Sequence, residues 1–341
     1  MATPTQSKYL INCDTRASLF NAGQKAPSDI CHFLEEEGYT VIHNRYMLYN
    51  RILRLPLIIL YPIYLSFFIK RESYIVFQHP YDSLHDAIRI MNRILLKILK
   101  AKKCHTTVLI HDIASLRAEN WSAVPDEINC LNSFGHLIAH SQEMKSYLEE
   151  HGYKNKITLL GLFDYNVEKP STMERILSKE VVFAGNLEKS EFLKTLENPE
   201  VQINLYGKKV ENLKEFFSYR GFFKSDDVSA IEGSWGLVWD GDSPDCCSGP
   251  LGRYLKYNSP HKASLYLCAG LPLIVPTGSA VADFVKRKNL GLVVDSLYGI
   301  SSAIDSITPE QYGQMCSNAR QEGTRLQSGE NIKEAVRLQF G

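Results

Sequence analysis

Short apolar segments alternate with amphipathic segments along almost the whole chain, and this alternation limits the folds that the chain can adopt. The apolar segments are three or four residues long and rich in Val, Ile and Leu, which predicts buried β-strands. They lie at 9–11, 40–42, 74–77, 107–110 and 137–139, and again at 181–183, 203–205, 236–239, 273–275 and 291–294. Because parallel strands need long crossover connections, usually helices, the alternation predicts an α/β protein with parallel sheets.

The segments between the predicted strands show helical periodicity. In 84–98, apolar residues recur every three or four positions and form one face of a helix. The opposite face carries four basic residues: Arg89, Arg93, Lys97 and Lys100. Ser141 is a favourable N-cap for a helix that ends near Gly152. Further helical patterns lie at 29–37, 189–197, 211–218, 261–269 and 279–288.

The length of the chain, 341 residues, suggests two domains. Residues 161–180 lose the periodic pattern and contain Pro170, so we place the domain boundary in this segment. We therefore expect one α/β domain in residues 1–165 and a second in residues 166–326.

Charge is balanced over the whole chain but not along it. The 38 Lys and Arg residues against 38 Asp and Glu residues argue against a dedicated duplex-DNA binder, and we expect no nucleic-acid partner. Residues 51–103, however, carry ten basic and three acidic residues, a net charge of +7. They include an apolar run at 52–69 whose one charge is Arg54, and Pro56 and Pro62 are expected to break a helix there. We therefore expect a buried or membrane-surface segment, and a peripheral contact of 51–103 with an anionic membrane or a lipid-linked acceptor.

The cysteine pattern indicates a reduced protein. None of the eight cysteines forms a C-x-x-C pair, and Cys246 and Cys247 are adjacent, which suits neither a zinc site nor a disulfide framework. The N-terminal residues MATPTQSK are polar and lack the apolar core of a secretion signal. We therefore expect a cytoplasmic protein.

Polar loops with glycine follow several predicted strands. Ligands of parallel α/β sheets bind outside the carboxyl ends of the strands, so these loops are candidate binding positions. Glycine lets backbone N–H groups approach a phosphate, and a following helix N-terminus favours the negative charge. The loops contain Ala22, Gly23 and Lys25 in the first half, and Gly185, Asn186, Lys189, Tyr206 and Gly207 in the second.

The segment 239–276 holds the densest group of candidates. Asn258, Pro260, His261 and Lys262 lead directly into a predicted helix. Lys262 and the N–H groups of the first helical turn suit a pyrophosphate, whereas the alternative is an ordinary helix start, at which proline is common.

Asp240 and Asp242 follow the predicted strand at 236–239 in an Asp-x-Asp arrangement. Carboxylate oxygens suit Mg²⁺ or Mn²⁺, and one class of sugar transferases holds a metal in this way. The alternative is a polar loop that lines the donor site.

Two titratable residues, His111 and Asp112, follow the predicted strand at 107–110, and Arg117 comes one turn later. Groups at a strand end can act as general acid or base, whereas the alternative is a capping Asp beside a packed His. His79, after the strand at 74–77, is a second candidate of the same kind.

Taken together, these segments are similar to a family of bacterial glycosyltransferases. The family includes β-1,6-galactofuranosyltransferases of surface-polysaccharide assembly, and transferases that add glucose or another hexose to GlcNAc on serine-rich adhesins. The similar segments are WDGDS at 239–243, YLKYNSPHKASLYLCAGLPLIV at 254–275, NAGQKAPSD at 21–29, LIHDIASLR at 109–117, VFAGNLEK at 182–189 and LYG at 205–207. The resemblance extends in order over residues 8–326.

This resemblance implies a GT-B architecture, with two facing Rossmann-like domains and a cleft between them. Residues 1–165 would form the acceptor side and residues 166–326 would bind the nucleotide sugar, while a C-terminal helix in 327–341 packs back on the first domain. No metal or other cofactor is implied. Broader GT-B transferases often contact ribose through a Glu, but that register holds Leu265 here, so ribose recognition must come from elsewhere.

The resemblance also implies site residues. Those on the donor side are Gly185, Asn186, Lys189, Tyr206, Gly207, Asp240, Asn258, Pro260, His261, Lys262, Ser264 and Leu265. Those on the acceptor side are Ala22, Gly23, Lys25, His79, Asp112 and Arg117. Asp112 would be the catalytic base if the reaction inverts the anomeric centre, and a retaining reaction would need no such base.

We therefore expect transfer of a hexose (glucose, galactose or galactofuranose) from a UDP-sugar to a glycan. The acceptor would be GlcNAc on a serine-rich glycoprotein or a lipid-linked polysaccharide intermediate. We also expect a homo-oligomer, in the cytoplasm or at the inner face of the membrane. Two alternatives stay open: a metal-dependent transferase that uses Asp240 and Asp242, and a non-catalytic nucleotide-binding scaffold of a glycosylation complex.

Overall fold

The computed structural model describes residues 6–13, 22–44, 51–80, 86–211 and 213–340. The chain divides into two compact units, one formed by the residues up to Leu160 together with those from Ile332 onward, the other by Gly161–Asn331. In the described part of the chain, each unit contains one six-stranded parallel sheet, which confirms the predicted α/β class. The limits of the units lie five residues from the domain boundaries that the sequence predicts.

The sheet of the first unit has the strand order β2-β1-β3-β4-β5-β6. Its strands are β1 (Lys8–Cys13), β2 (Thr40–Asn44), β3 (Tyr74–His79), β4 (His105–Ile110), β5 (His136–Ala139) and β6 (Lys156–Leu159). Its helices are α1 (Ala22–Glu36), α2 (Arg51–Phe67), α3 (Asp86–Ala101), α4 (Ala114–Arg117), α5 (Val124–Leu131) and α6 (Gln142–Glu150). Ser141 caps α6 as predicted, because its Oγ accepts a hydrogen bond from the Met144 N–H.

The sheet of the second unit has the order β12-β11-β10-β7-β8-β9, the doubly wound order of dinucleotide-binding folds. Its strands are β7 (Glu180–Ala184), β8 (Gln202–Tyr206), β9 (Phe217–Gly221), β10 (Trp235–Leu237), β11 (Leu273–Pro276) and β12 (Gly291–Val294). Its helices are α7 (Phe192–Thr195), α8 (Gly249–Tyr254), α9 (His261–Cys268), α10 (Ala282–Arg287), α11 (Ile300–Asp305) and α12 (Pro309–Gln327).

The last helix, α13 (Glu330–Arg337), connects the chain end to the first unit. Lys333 Nζ lies 2.7 Å from Glu36 Oε2, and Arg337 forms an ion pair with Glu37. Both acidic residues belong to α1 or directly follow it, so these ion pairs attach the C-terminal helix beside α1.

Two local predictions were wrong. The periodic segment 211–218 is not helical where the structure describes it, because Phe217–Gly221 pairs with β8 as the edge strand β9. The helix α2 continues through Pro56 and Pro62, which were expected to break it. Each proline removes one backbone donor, and the extensive packing of α2 against α3 keeps the remaining turns helical. No helix of the described residues is long and apolar enough to cross a membrane.

The contact between α9 and β10 requires glycine in the strand. A Cβ at Gly236 would lie 2.3 Å from Cγ of the Tyr266 ring, which is fully buried in the core of the second unit. The Tyr266 hydroxyl in turn accepts a hydrogen bond of 2.8 Å from the Ala184 N–H at the end of β7. Tyr266 therefore fixes α9 against two neighbouring strands.

The substitution Gly236→Ala is expected to lower the free energy of unfolding by about 2–3 kcal/mol, because the added methyl group must displace the Tyr266 ring. Urea denaturation measures this change. Gly313→Ala is the matched control, since Gly313 lies in α12, a methyl group added there would meet nothing within 4 Å, and alanine favours the helix. Equal stability of Gly236→Ala and the wild type would contradict the close contact.

Candidate active site

In the second unit, Lys262 lies where the direction of strand connections reverses. This switch point falls between β7 and β10, the position at which doubly wound sheets bind their ligands. Lys262 Nζ donates to the Trp239 carbonyl and to Asp240 Oδ1, both at 3.1 Å, and lies 4.7 Å from the centroid of the Phe183 ring. An ammonium group is therefore held at the carboxyl ends of the two central strands.

The loop after β7 is open to solvent. Gly185, Asn186 and Lys189 are exposed, and Asn186 Oδ1 accepts a hydrogen bond of 3.2 Å from the Lys189 N–H. The loop after β8 approaches this loop closely, since a Cβ at Gly207 would lie 2.2 Å from the Gly185 carbonyl oxygen. The φ of Gly207, +147°, is also one that residues with a side chain rarely adopt. Glycine at 207 is thus needed for two loops to converge at one edge of the sheet.

The first turn of α9 lies beside the same strand ends. Pro260 is its N-cap, and the His261 ring packs against Tyr165 with a centroid separation of 4.8 Å. Among the described residues, the buried Oδ1 of Asn258 has no hydrogen-bond partner. The polar segment 258–262 therefore leads directly into the N-terminus of α9, whose free N–H groups favour an anion.

Four of the predicted donor residues, Pro260 and the three that follow here, are buried instead of open to a ligand. Ser264 is fully buried and donates to the Phe163 carbonyl at 2.6 Å, and Leu265 packs in the core. The Tyr206 ring is only 4% exposed, and its hydroxyl donates to the Ala230 carbonyl at 3.2 Å. A uracil flanked by Tyr206 would therefore have to meet a ring that is packed into the core, and this role stays a prediction.

Asp240 and Asp242 have different partners. Asp240 pairs with Lys262, whereas Asp242 accepts a hydrogen bond from Ser248 Oγ at the N-terminus of α8. Within the described ranges, no group of three or more His, Cys, Asp or Glu residues has the arrangement of a metal site. Each carboxylate thus has its own partner inside the protein, Lys262 for Asp240 and the Ser248 hydroxyl for Asp242.

Arg175 is a residue of this region that sequence inspection missed. It is buried, and Nη2 donates to the carbonyl of Ala269, the C-cap of α9, at 2.8 Å, while Nη1 donates to the Ile231 carbonyl at 2.9 Å. Burial lowers the pKa of the guanidinium from its ordinary value. A cation at the C-terminus of α9 stabilises the helix dipole and orients the helix whose other end carries Lys262.

In the first unit, a hydrogen-bonded chain joins three strand ends. His111 Nε2 donates to Gln78 Oε1 at 2.8 Å, and Gln78 Nε2 donates to Asn12 Oδ1 at 3.1 Å. These residues lie on or directly after β4, β3 and β1, at the switch point of this sheet between β1 and β3. Gln78 was not predicted, because its partners are 33 and 66 positions away in sequence.

His79 has a buried carboxylate partner. Its Nε2 lies 3.1 Å from Glu127 Oε1, and Glu127 also accepts from the backbone N–H groups of Ala114 and Ser115 at 2.9 and 2.8 Å. Burial alone would raise the pKa of Glu127, but the hydrogen bond and charge of His79 and the bonds from Ser115 outweigh it and lower the pKa to about 2. Glu127 therefore stays ionised, orients His79 and caps the N-terminus of α4.

The other predicted acceptor-side residues are distributed as follows. Asp112 Oδ2 lies 2.9 Å from Arg117 Nη1, so these two residues form an ion pair that the sequence did not predict, and their acceptor-side role stays a prediction. Lys25 lies in α1 and forms a buried ion pair of 2.7 Å with Asp29. Ala22 and Gly23 belong to the first turn of α1, and their side chains lie outside the described residues.

Comparison with known proteins matches both halves of the chain to models of one family. Residues 8–162 match the model of the "Glucosyltransferase 3-like, N-terminal domain" and residues 181–338 that of the C-terminal domain. The β-1,6-galactofuranosyltransferase WbbI of Escherichia coli (strain K12) is 33% identical over 67% of this chain and 69% of its own. Glucosyltransferase 3 of Streptococcus gordonii is 29% identical over 71% of each chain.

Solved structures show the same fold at low sequence identity. Sucrose-phosphate synthase from Thermosynechococcus elongatus aligns with a TM-score of 0.65 and 13% identity over 98% of both chains. Anabaena HepE in complex with UDP and glucose aligns with a TM-score of 0.62 and 14% identity over 98% of this chain and 99% of its own.

The two doubly wound sheets have the GT-B fold that the sequence resemblance implied, and the curated relatives that match over two thirds of the chain make it a glycosyltransferase. Within that class, the chain belongs to the Glucosyltransferase 3-like family.

The substitution Glu127→Gln tests the buried carboxylate. The pKa of about 2 against the ordinary 4.5 corresponds to a contribution on the order of 3 kcal/mol to the free energy of unfolding. Because the folded-state pKa is the lower one, this contribution is complete above about pH 4.5 and is lost as the pH falls toward about 2. Urea denaturation should therefore show a large deficit of the variant at neutral pH and a deficit of about half that size at about pH 3.

Glu150→Gln is the matched control for this series, because Glu150 is exposed and forms no ion pair within the described residues. Its effect should stay within about 0.5 kcal/mol at every pH. A stability deficit of Glu127→Gln that does not change with pH would exclude an ionised Glu127 as its cause.

Proposed function

We propose that this glycosyltransferase moves a hexose from a UDP-sugar to a glycan acceptor. The observation that carries the proposal is the position of Lys262 at the switch point of the second sheet, beside the N-terminus of α9. UDP and glucose are bound in the HepE structure, and two relatives are named for glucose or galactofuranose transfer. These names support a UDP-hexose donor for this chain.

In the proposed reaction, the bond between the anomeric carbon and the β-phosphate oxygen breaks, and UDP leaves. The acceptor hydroxyl oxygen bonds to the anomeric carbon and loses its proton. The departing diphosphate gains negative charge, which Lys262 and the N–H groups of α9 can stabilise without a metal. Lys189 and the backbone of Gly185 and Asn186 would complete the phosphate contacts from the exposed loop after β7.

Lys262→Ala is expected to weaken UDP binding about 10- to 100-fold, because it removes charge-assisted hydrogen bonds to the diphosphate. Titration calorimetry with UDP measures the change, and Lys256→Ala, which removes an exposed lysine beside Tyr257, is the control. Unchanged UDP affinity in Lys262→Ala would exclude this phosphate site.

Two further measurements test the alternatives. Turnover that persists in the presence of EDTA would exclude a metal-dependent transferase that uses Asp240 and Asp242, and any turnover of a UDP-sugar would exclude a non-catalytic nucleotide-binding scaffold.

We further propose Asp112 as the base that accepts the hydroxyl proton if the reaction inverts the anomeric centre. Its ion pair with Arg117 orients the carboxylate at the end of β4, next to the His111–Gln78 hydrogen bond. Asp112→Asn should then lower turnover about 100-fold or more and leave UDP affinity unchanged. Coupled kinetic assays measure turnover, with the exposed Asp283→Asn as control. Turnover of Asp112→Asn at the wild-type level would remove Asp112 from the mechanism.

The proposed acceptor is a glycan on a serine-rich glycoprotein or a lipid-linked intermediate. Screening UDP-glucose, UDP-galactose and UDP-galactofuranose against both acceptor types distinguishes them. The expected homo-oligomer and the expected cytoplasmic location, at the inner membrane face, stay predictions.

A further inference from the structure

The solvent side of α2 is apolar along its last three turns. Six large side chains are exposed there, and they recur in adjacent pairs every four residues, which aligns them in one strip. This apolar stripe consists of Ile59, Leu60, Ile63, Tyr64, Phe67 and Phe68. Phe67 is 79% exposed, and the residues between these pairs, such as Tyr61 and Leu65, are buried against the unit. A contiguous exposed apolar surface of this size is typical of a site that binds a protein, a ligand or a membrane.

Basic side chains lie next to the apolar stripe. α3 packs against α2 and exposes Arg93, Lys97 and Lys100 on its solvent face. The connections β2-to-β3 and β3-to-β4 cross the sheet in the same direction, so right-handed crossovers place α2 and α3 on the same side of it. Six exposed residues form this basic rim: Lys70, Arg71, Arg93, Lys97, Lys100 and Lys103.

The apolar stripe and the basic rim are held together by Lys102. Its Nζ donates to the carbonyls of Ser66 and Ile69 at 2.5 and 2.8 Å, where α2 ends. Within the described ranges, the basic rim forms no ion pairs, so its charge is not neutralised by the described part of the fold. The two features therefore form one surface with an apolar strip and a flanking positive field.

We propose that this surface binds the face of a lipid bilayer that contains anionic lipids. The apolar stripe would enter the boundary between headgroups and acyl chains, with Tyr64 at its polar edge, and the basic rim would contact the anionic headgroups. Charge decides between this occupant and a second copy of the chain. A two-fold interface would bring the same surface, in a segment of net charge +7, against itself, whereas an anionic membrane neutralises that charge.

Vesicle flotation of the purified full chain tests this proposal, with phosphatidylcholine vesicles alone or with about one quarter phosphatidylglycerol. The wild-type protein should float with the anionic vesicles, and it should remain in the bottom fraction when the vesicles are neutral. The variants Phe67→Ser/Phe68→Ser and Lys97→Gln/Lys100→Gln should each lower the bound fraction about tenfold. The controls Ile176→Ser and Lys286→Gln/Arg287→Gln remove exposed apolar or basic groups of the second unit and should bind like wild type.

The readout does not depend on turnover, so it separates the membrane contact from the proposed function. UDP affinity and the thermal unfolding midpoint should be unchanged in both variants, because the altered side chains are exposed and lie in the first unit. Equal flotation with neutral and anionic vesicles, or wild-type flotation of the charge variant, would overturn the proposal. So would a wild-type dimer that becomes a monomer in Phe67→Ser/Phe68→Ser without any vesicle binding, since the stripe would then be an interface between copies.

Discussion

The contact of Tyr266 with β7 and β10 is the constraint on which the donor side of this protein depends. The ring fills the space left by Gly236, and its hydroxyl accepts from the Ala184 N–H. Because residues four apart share one face of a helix, Lys262 lies one turn nearer the N-terminus on that same face. Anchoring Tyr266 against the strands therefore places the Lys262 ammonium at their carboxyl ends, and Arg175 holds the opposite end of the helix.

In the first unit, side chains at the strand ends are positioned in a different way. Polar side chains at the ends of its central strands are fixed by other polar side chains instead of by a buried ring. Glu127 is the centre of this arrangement, because one carboxylate satisfies His79 and two backbone N–H groups of α4. Such a network keeps its geometry only while the carboxylate is ionised, since an acid group could not accept all of these bonds. The pKa of about 2 ensures this over the physiological range.

The parts of the fold that follow from local pattern could be predicted from the sequence. Apolar periodicity located ten of the strands. It wrongly predicted a helix at 211–218, because the edge strand β9 is half-buried and lacks a clear apolar alternation. It also failed at α2, where tertiary packing outweighs the prolines. The residues that were missed, Gln78, Glu127 and Arg175, act through partners distant in sequence. Loop position could locate Lys262, but no local signal shows which polar residues a fold will bring together.

The burial of Tyr206 also shows that local sequence does not reveal the tertiary partners of a side chain. A tyrosine at the end of a strand, before a glycine, has the position expected of a nucleotide contact. In the structure its hydroxyl both donates to Ala230 and accepts from the Glu232 N–H, so the ring braces the loop that leads into β10. These two hydrogen bonds hold the loop before β10 against the end of β8, whereas Asp240 and Lys262 lie beyond the opposite end of β10. A position at a strand end therefore indicates where a side chain begins, but not whether it turns toward a ligand or into the core.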